Sequence, residues 1–346
     1  MKAGQHTRQE IFSQPQVWAD ALAVFDADAP TFSDLIAAAD PDHVLVTGCG
    51  STYYLSLTAA RLLRGAGIDA RAYPASELLL FPDSIYLEGR KLALITVSRS
   101  GATTETLRAA AAFKSRIGGP VVTVTCDSGS PLAREADLAF AIDSAGEKSV
   151  AQTRSFSSMC LVLQQMAAAL AGDDRTSSAR LPAQCQHLLH AFGDLAETLG
   201  ADRSIERFFF LGADVLYGIA CEAMLKMKEM SLSYSEAFHT LEFRHGPMSM
   251  AAENALVVGL ISPEAAQPEL QVLSEMRRMG ARTLSVGSFA TDSPRHIALP
   301  DDLPTWNTPV LHLPVLQLLA YHRALHNGQN PDQPHNLSAV VSLEDL

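Results

Sequence analysis

Apolar positions recur along this chain with two periods, and their alternation predicts a strand–helix pattern laid out twice. Ile11, Val17, Leu22, Val24, Leu35 and Ile36 stand among polar neighbours at helical spacing, so residues 7–40 read as helices punctuated by Pro15 and Pro30. Val44-Leu-Val-Thr47 reads as a short strand, followed by the turn Gly48-Cys-Gly-Ser-Thr52 and a helix to about Gly65. A second unit has Ala70-Arg-Ala-Tyr-Pro as strand and Ser76-Glu-Leu-Leu-Leu as helix start. The third runs from the strand Leu92–Val97 into a hydroxyl-rich corner and an alanine-rich helix. Val121-Val-Thr-Val-Thr125 carries the continuous β-branched run of a strand covered on both faces, and Leu138 to Ile142 is a fifth strand.

After Val150 the chain reads as helical through Leu170, breaks at Gly172–Ser178, and continues as one amphipathic helix from Cys185 to Leu199. From Arg207 the plan restarts. Phe208-Phe-Phe-Leu211 is a strand, Gly212-Ala213 a turn and Leu216–Met230 a helix, with further strands at Ala255–Ile261, Arg282–Val286 and His296–Leu299. A last helix near Val315–Leu325 precedes an irregular tail. Strands alternating with helices argue for parallel sheets with right-handed crossovers. The expected fold class is therefore α/β, with two doubly wound parallel-sheet subdomains related by pseudo-duplication. The expected division is a helical segment over 1–30, a first domain over 31–172, a linker and helix over 173–200, a second domain over 201–330, and a tail over 331–346 that covers the active site.

Composition narrows the partners. The length of 346 residues, at roughly 150 per domain, suits two units with cores of their own. A formal charge of −12 argues against a nucleic-acid partner, since no segment gathers Lys and Arg to reverse it locally. The cysteines Cys49, Cys126, Cys160, Cys185 and Cys221 are widely spaced and form no Cys-x-x-Cys pair, so disulfides and a structural metal are not expected. The first residues lack the apolar core of a signal peptide, and no apolar run reaches the roughly 18 residues of a membrane span. A cytoplasmic protein without a membrane partner is expected.

Candidate chemistry sits where strands turn into helices. Gly50-Ser51-Thr52 and Ser98-Arg99-Ser100-Gly101-Ala102-Thr103 are both hydroxyl-rich, and a helix start offers unpaired N–H groups and partial positive charge to an anion. One phosphate site is the reading; a helix cap by Ser100 or Thr103 is the plainer alternative. Gly48-Cys-Gly lacks the third glycine and the distant acid of a dinucleotide fingerprint, so NAD is rejected and no cofactor is expected. In the second half, Glu222, Lys226 and Glu229 fall on one helical stripe while Met224 and Met227 face away. That stripe is either chemistry or a solvated face carrying an ordinary i,i+4 ion pair. Ser235–Pro247 reads as a polar, irregular, histidine-bearing loop; His239 is the more ordinary structural histidine, whereas His245, before Gly-Pro, reads as functional.

At these residues the chain resembles the sugar isomerase (SIS) family, most closely the branch that includes the isomerase half of glutamine–fructose-6-phosphate aminotransferases and stand-alone amino-sugar-phosphate isomerases and deaminases. The colinear motifs are Gln9–Pro15, Gly48–Thr52, Ser98–Gly101, Val150–Phe156, Glu222–Ser231, Glu242–Pro247 and Asp332–Leu337. The resemblance implies a flavodoxin-like SIS fold and phosphate contacts at Ser51, Thr52, Ser98, Arg99, Ser100 and Thr103, where Arg99 stands for a glutamine. It implies sugar contacts at Val150, Ala151 and Gln152, a proton-shuttling carboxylate at Glu229, a ring-opening histidine at His245 lent by the neighbouring subunit, and supporting charges at Lys226 and Glu222. A homodimer with shared active sites follows, with a small sugar phosphate as ligand and neither metal nor cofactor.

Two departures shape the expected reaction. The aminotransferases begin with a glutaminase domain and its terminal cysteine, which this sequence does not show, so glutamine hydrolysis is not expected. Their tail lysine, which forms a Schiff base with the open ketose, is replaced by Ala339. The expectation is an isomerase–deaminase acting on an amino-sugar or ketose 6-phosphate. The alternatives are a deglycase on a substituted amino-sugar phosphate and a non-catalytic sugar-phosphate sensor.

Overall fold

The computed structural model describes residues 2–338 except Ala290 and Asp292. The chain divides into two compact units: one holds Gln16–Glu147 and Arg154–Ala179, the other the residues up to Pro15, Lys148–Thr153 and Arg180–Leu337.

Helix α1 (Gln5–Phe12) belongs to the second of these, and α2 (Gln14–Ala39) leads into the first. The amino-terminal sheet unit then alternates β1 (His43–Gly48), α3 (Ser51–Gly65), β2 (Ala70–Pro74), α4 (Ala75–Leu80), α5 (Pro82–Ile85), β3 (Leu92–Ser98), α6 (Thr104–Arg116), β4 (Val121–Thr125), α7 (Pro131–Glu135), β5 (Leu138–Ala141) and α8 (Arg154–Ala171). Its five strands are parallel in the order β2-β1-β3-β4-β5. β3 and β4 are buried along their whole length, as strands covered on both faces must be, which is why their sequences are continuously apolar or β-branched.

The carboxyl-terminal sheet unit contains α9 (Leu181–Ala191), α10 (Gly193–Ala201), β6 (Arg207–Leu211), α11 (Val215–Ser231), β7 (Tyr234–Phe238), β8 (Ala255–Leu260), α12 (Ala266–Arg278), β9 (Arg282–Gly287), β10 (His296–Ala298) and α13 (Leu313–His326). Its order is β10-β9-β8-β6-β7, again all parallel. With β6 set against β1, the connectivity of the first sheet is reproduced strand for strand, so the expected pseudo-duplicated α/β architecture is what the chain forms.

Four elements differ from the sequence reading. Pro30 does not end a helix: α2 runs through it, with Pro30 on the exposed face while Phe25, Ala29, Phe32 and Ile36 are buried on the other. Burial of that face, including a Phe25–Phe140 stack at 5.2 Å, outweighs one missing backbone hydrogen bond. The single helix expected over Cys185–Leu199 is two, broken at Phe192 before Gly193. The expected loop after α11 begins with an edge strand, β7, whose short run of mixed polarity hid it. Helix α12, with Val272, Leu273 and Met276 buried, was not anticipated at all.

Candidate active site

In the first sheet the chain leaves β1 toward one edge and continues from β3 toward the other, so β1 and β3 flank the switch point where open parallel sheets bind ligands. Both hydroxyl-rich turns sit there. Gly48 packs so closely that a Cβ would lie 2.6 Å from Thr52 Oγ1, and Gly50 holds φ +57°. The Thr52 hydroxyl accepts from the Cys49 N–H and donates to the Cys49 carbonyl, both at 2.9 Å, which locks the turn. The Cys49 thiol lies 3.5 Å from Thr106 Oγ1 and so ties this turn to α6; burial pushes that thiol up, against the Thr106 hydrogen bond.

The second turn is pinned from outside. Gly101, at φ +57°, would drive a Cβ to 2.1 Å from Ser130 Oγ, so no other residue fits. The Arg99 carbonyl accepts the Cys126 N–H at 3.0 Å, and the Gly101 carbonyl accepts the Leu132 N–H at 3.1 Å. Ser98 Oγ accepts the Gly101 N–H at 3.1 Å and Ser100 Oγ accepts the Ala102 N–H at 3.3 Å, which leaves each hydroxyl its own proton to donate. Thr103 occupies the N-cap of α6 without a side-chain capping bond. The plainer reading, in which Thr103 merely caps the helix, therefore does not describe this corner. The Arg99 guanidinium reaches the fully buried Glu147 carboxylate at 3.4 Å, so its position is fixed by an acid that the sequence reading passed over.

On α11 the expected stripe becomes a buried cluster. Lys226 Nζ lies 3.4 Å from Glu222 Oε1 and 2.5 Å from Glu229 Oε2, with Lys226 1% exposed, Glu222 0% and Glu229 20%. A solvated ion pair is thereby ruled out. Burial alone would push the Lys226 ammonium down, but the two carboxylates outweigh it and hold its pKa above the usual lysine value. Lys226 thus stays charged, and of the two carboxylates Glu229 is the one that meets solvent. Met227 is buried on the opposite side of the helix.

The remaining expected residues fall elsewhere in the carboxyl-terminal unit. His245 is exposed, just beyond a single 3₁₀ turn at Glu242–Arg244, and its N–H donates to the Glu242 carbonyl at 2.9 Å. His239 is exposed, and its ring stacks on that of Tyr217 with centroids 3.8 Å apart. In the Val150–Gln152 segment Ala151 is buried, and Gln152 Oε1 is buried without a hydrogen-bond partner. Ala339 lies outside the described residues. No group of metal-binding side chains occurs among the described residues, and no helix there is long and apolar enough to cross a membrane.

The SIS domain pattern matches residues 38–169 and 203–295, one match on each sheet unit and together well over half of the chain. The chain belongs to the SIS domain family. A glutamine–fructose-6-phosphate aminotransferase of Pyrobaculum aerophilum is 30% identical over 356 aligned residues, which cover 97% of this SIS chain and 57% of the relative. The chain therefore spans somewhat over half the length of such relatives. Among solved structures, one described as glucosamine-6-phosphate deaminase from Thermotoga maritima matches with TM-score 0.81 and 29% identity, over 98% of this chain and 100% of that one. The tagatose-6-phosphate ketose/aldose isomerase of Escherichia coli matches with TM-score 0.86 and 25% identity, over 96% of each.

Within the SIS frame, the fold brings Ser98, Ser100 and Thr103 to the same switch point as Ser51 and Thr52, and gathers Glu222, Lys226 and Glu229 into one cluster. Sequence reasoning missed Glu147, whose only signal was an acid just beyond the fifth strand. It also missed His312, buried and held down to about 4 by that burial.

Proposed function

We propose that this chain is a phosphosugar isomerase–deaminase acting on an amino-sugar or ketose 6-phosphate of the glucosamine 6-phosphate and fructose 6-phosphate type. The observation that carries the reading is the α11 cluster: a partly exposed carboxylate, Glu229, held at 2.5 Å by a buried ammonium that is itself kept charged. Aldose–ketose interconversion asks for a single base that removes a proton from one carbon and returns it to the next, and a fixed carboxylate suits that task. The named substrates of the similar deaminase and isomerase structures support the sugar-phosphate class.

In this reading Ser98, Ser100, Thr103 and the first-turn amides of α6 take the phosphate, with Ser51, Thr52 and Arg99 around them. Binding at that remote end aligns the sugar carbons. His245 moves the ring-oxygen proton to open the sugar, and in a homodimer with shared sites it comes from the neighbouring subunit. Glu229 then takes the C2 proton of open-chain glucosamine 6-phosphate, giving an enolamine, and returns a proton to C1. The resulting C2 imine adds water and releases ammonia, leaving fructose 6-phosphate. Lys226 and Glu222 hold Glu229 in place, and Val150, Ala151 and Gln152 contact the sugar.

Incubation with glucosamine 6-phosphate, followed for ammonia and fructose 6-phosphate, tests the proposal. Glu229→Gln should keep phosphate binding and lower kcat about a thousandfold. Full turnover by that variant would move the base elsewhere. Turnover of an N-substituted amino sugar alone would make the chain a deglycase, and binding without turnover a sensor.

A further inference from the structure

The segment Lys148–Thr153 is held from outside itself to an unusual degree. Glu10, on α1 and 3% exposed, accepts the Lys148 N–H at 2.6 Å and the Ser149 N–H at 3.3 Å, and it is bonded by the Ser149 hydroxyl as well. The Val150 N–H donates to the Asp332 carbonyl at 3.0 Å. Gln317 Nε2 donates to the Thr153 carbonyl at 3.1 Å. The backbone on both sides of Gln152 is thus tied to three separate parts of the chain, while Gln152 Oε1 is buried and has no partner.

The same two acids also fix α1. The Asp332 carboxylate accepts the His6 N–H at 3.2 Å, and the Thr7 N–H and hydroxyl at 2.8 Å, where a helix start leaves donors unpaired and favours negative charge. Asn330 Oδ1 takes the Gly4 N–H at 3.0 Å. Each acid therefore joins α1 to a second element: Glu10 to the 148–149 backbone, Asp332 to the tail, whose carbonyl grips Val150. This closed loop of contacts uses charge on Glu10, because an ionised carboxylate accepts several N–H and O–H donors at once and a neutral amide does not match it.

We propose that Glu10 is a positioning residue, which with Asp332 fixes the Val150–Gln152 segment so that the unpartnered Gln152 amide oxygen is presented to a hydrogen-bond donor of the sugar. This rests on the reading of Val150–Gln152 as a sugar contact. An unpartnered buried amide oxygen is costly in the free protein, and a ligand hydroxyl or ammonium that donates to it recovers that cost on binding. Glu10 touches no substrate and acts through the backbone it holds.

The test has two independent arms. Amide hydrogen exchange on the whole chain should show protection of residues 148–153 reduced about tenfold or more in Glu10→Gln, with β6 and β8 unchanged. Unchanged protection at 148–153, or loss spread equally over β6 and β8, would overturn the positioning role whatever the substrate is. With glucosamine 6-phosphate, Glu10→Gln should raise KM about tenfold while kcat stays within about twofold. Gln152→Ala should do the same, and the double variant should be no worse than Gln152→Ala alone. Additive losses, or a fall confined to kcat, would overturn the link through Gln152. Absence of turnover by the wild-type chain would count against the function proposed above, while the exchange arm would still decide the role of Glu10.

Discussion

The two switch points of this molecule have one backbone and opposite chemistry. Gly50 in the first turn has φ 57° and ψ −123°, and Asp214 in the corresponding turn after β6 has φ 48° and ψ −121°. Gly48 closes on Thr52, four residues on, and Gly212 closes in the same way on Leu216, where a Cβ would lie 2.5 Å from the Leu216 carbonyl oxygen. The amino-terminal switch point offers the hydroxyls of Ser98 and Ser100 with protons to donate. At the carboxyl-terminal one, Ser262 stands two residues beyond the end of β8, and its N–H already donates at 2.7 Å to the chain's own buried Glu269, with its hydroxyl at 3.2 Å. Burial pushes the Glu269 carboxyl up, against those Ser262 bonds. One switch point thus presents hydroxyl donors and the other holds a carboxylate of its own, which teaches that a duplicated fold keeps its geometry while the chemistry is set by a few side chains at the strand ends.

The largest effect expected from disturbing this contrast is in the carboxyl-terminal unit, where acids are balanced internally. Lys226→Met leaves Glu222 buried without its ammonium and should cost about 3–5 kcal/mol in urea unfolding, most of it recovered when Glu222→Gln is added. If Lys226→Met unfolds like the wild type, the cluster is solvated in solution. Next, Ser100→Asp gives the amino-terminal corner an acid of the kind its counterpart carries. It should lower kcat/KM for a hexose 6-phosphate about a thousandfold through like-charge repulsion, with little change in Tm. Retained affinity would place the phosphate elsewhere.

A smaller effect separates the units by pH. His312, held down to about 4 by burial, binds its proton more weakly in the folded than in the unfolded chain. Its contribution is complete above about pH 6.5 and is lost as pH falls toward 4, about 3 kcal/mol in all. The difference between wild type and His312→Leu across that range isolates it, and parallel curves would mean that the imidazole titrates normally. The smallest effect is Asp214→Gly. It relieves a left-handed aspartate and should stabilise by about 1 kcal/mol after the added chain entropy of glycine is counted. A loss of stability would show that the Asp214 side chain is needed where it stands.

The periodic elements were legible because burial on both faces leaves a sequence no freedom. β3, β4 and β8 could be read almost to the residue, and so could the α3 and α11 turns with their glycines. What failed was marginal by the same measure. β7 is an edge strand of mixed polarity, and Pro30 looked like a stop because sequence shows the missing N–H but not the aromatic packing beneath it. Of the candidate site, the hydroxyl corner and the acid–lysine–acid stripe were visible as residue types at helical or turn spacing. Glu10, Glu147 and Asp332 were not visible as partners, because each acts on backbone or side chains remote in sequence.

By itself the sequence determined the alternation of strands and helices, the duplication, and which residues could bind an anion or move a proton, since these depend on local period and side-chain chemistry. Only the tertiary structure decided that Lys226 is sealed from water and held charged between two carboxylates, that Ser98 and Ser100 keep their protons free, and that Glu269 occupies the second switch point. The reason is physical: desolvation and hydrogen-bond saturation are properties of the whole neighbourhood of a group, and that neighbourhood is assembled from segments far apart along the chain.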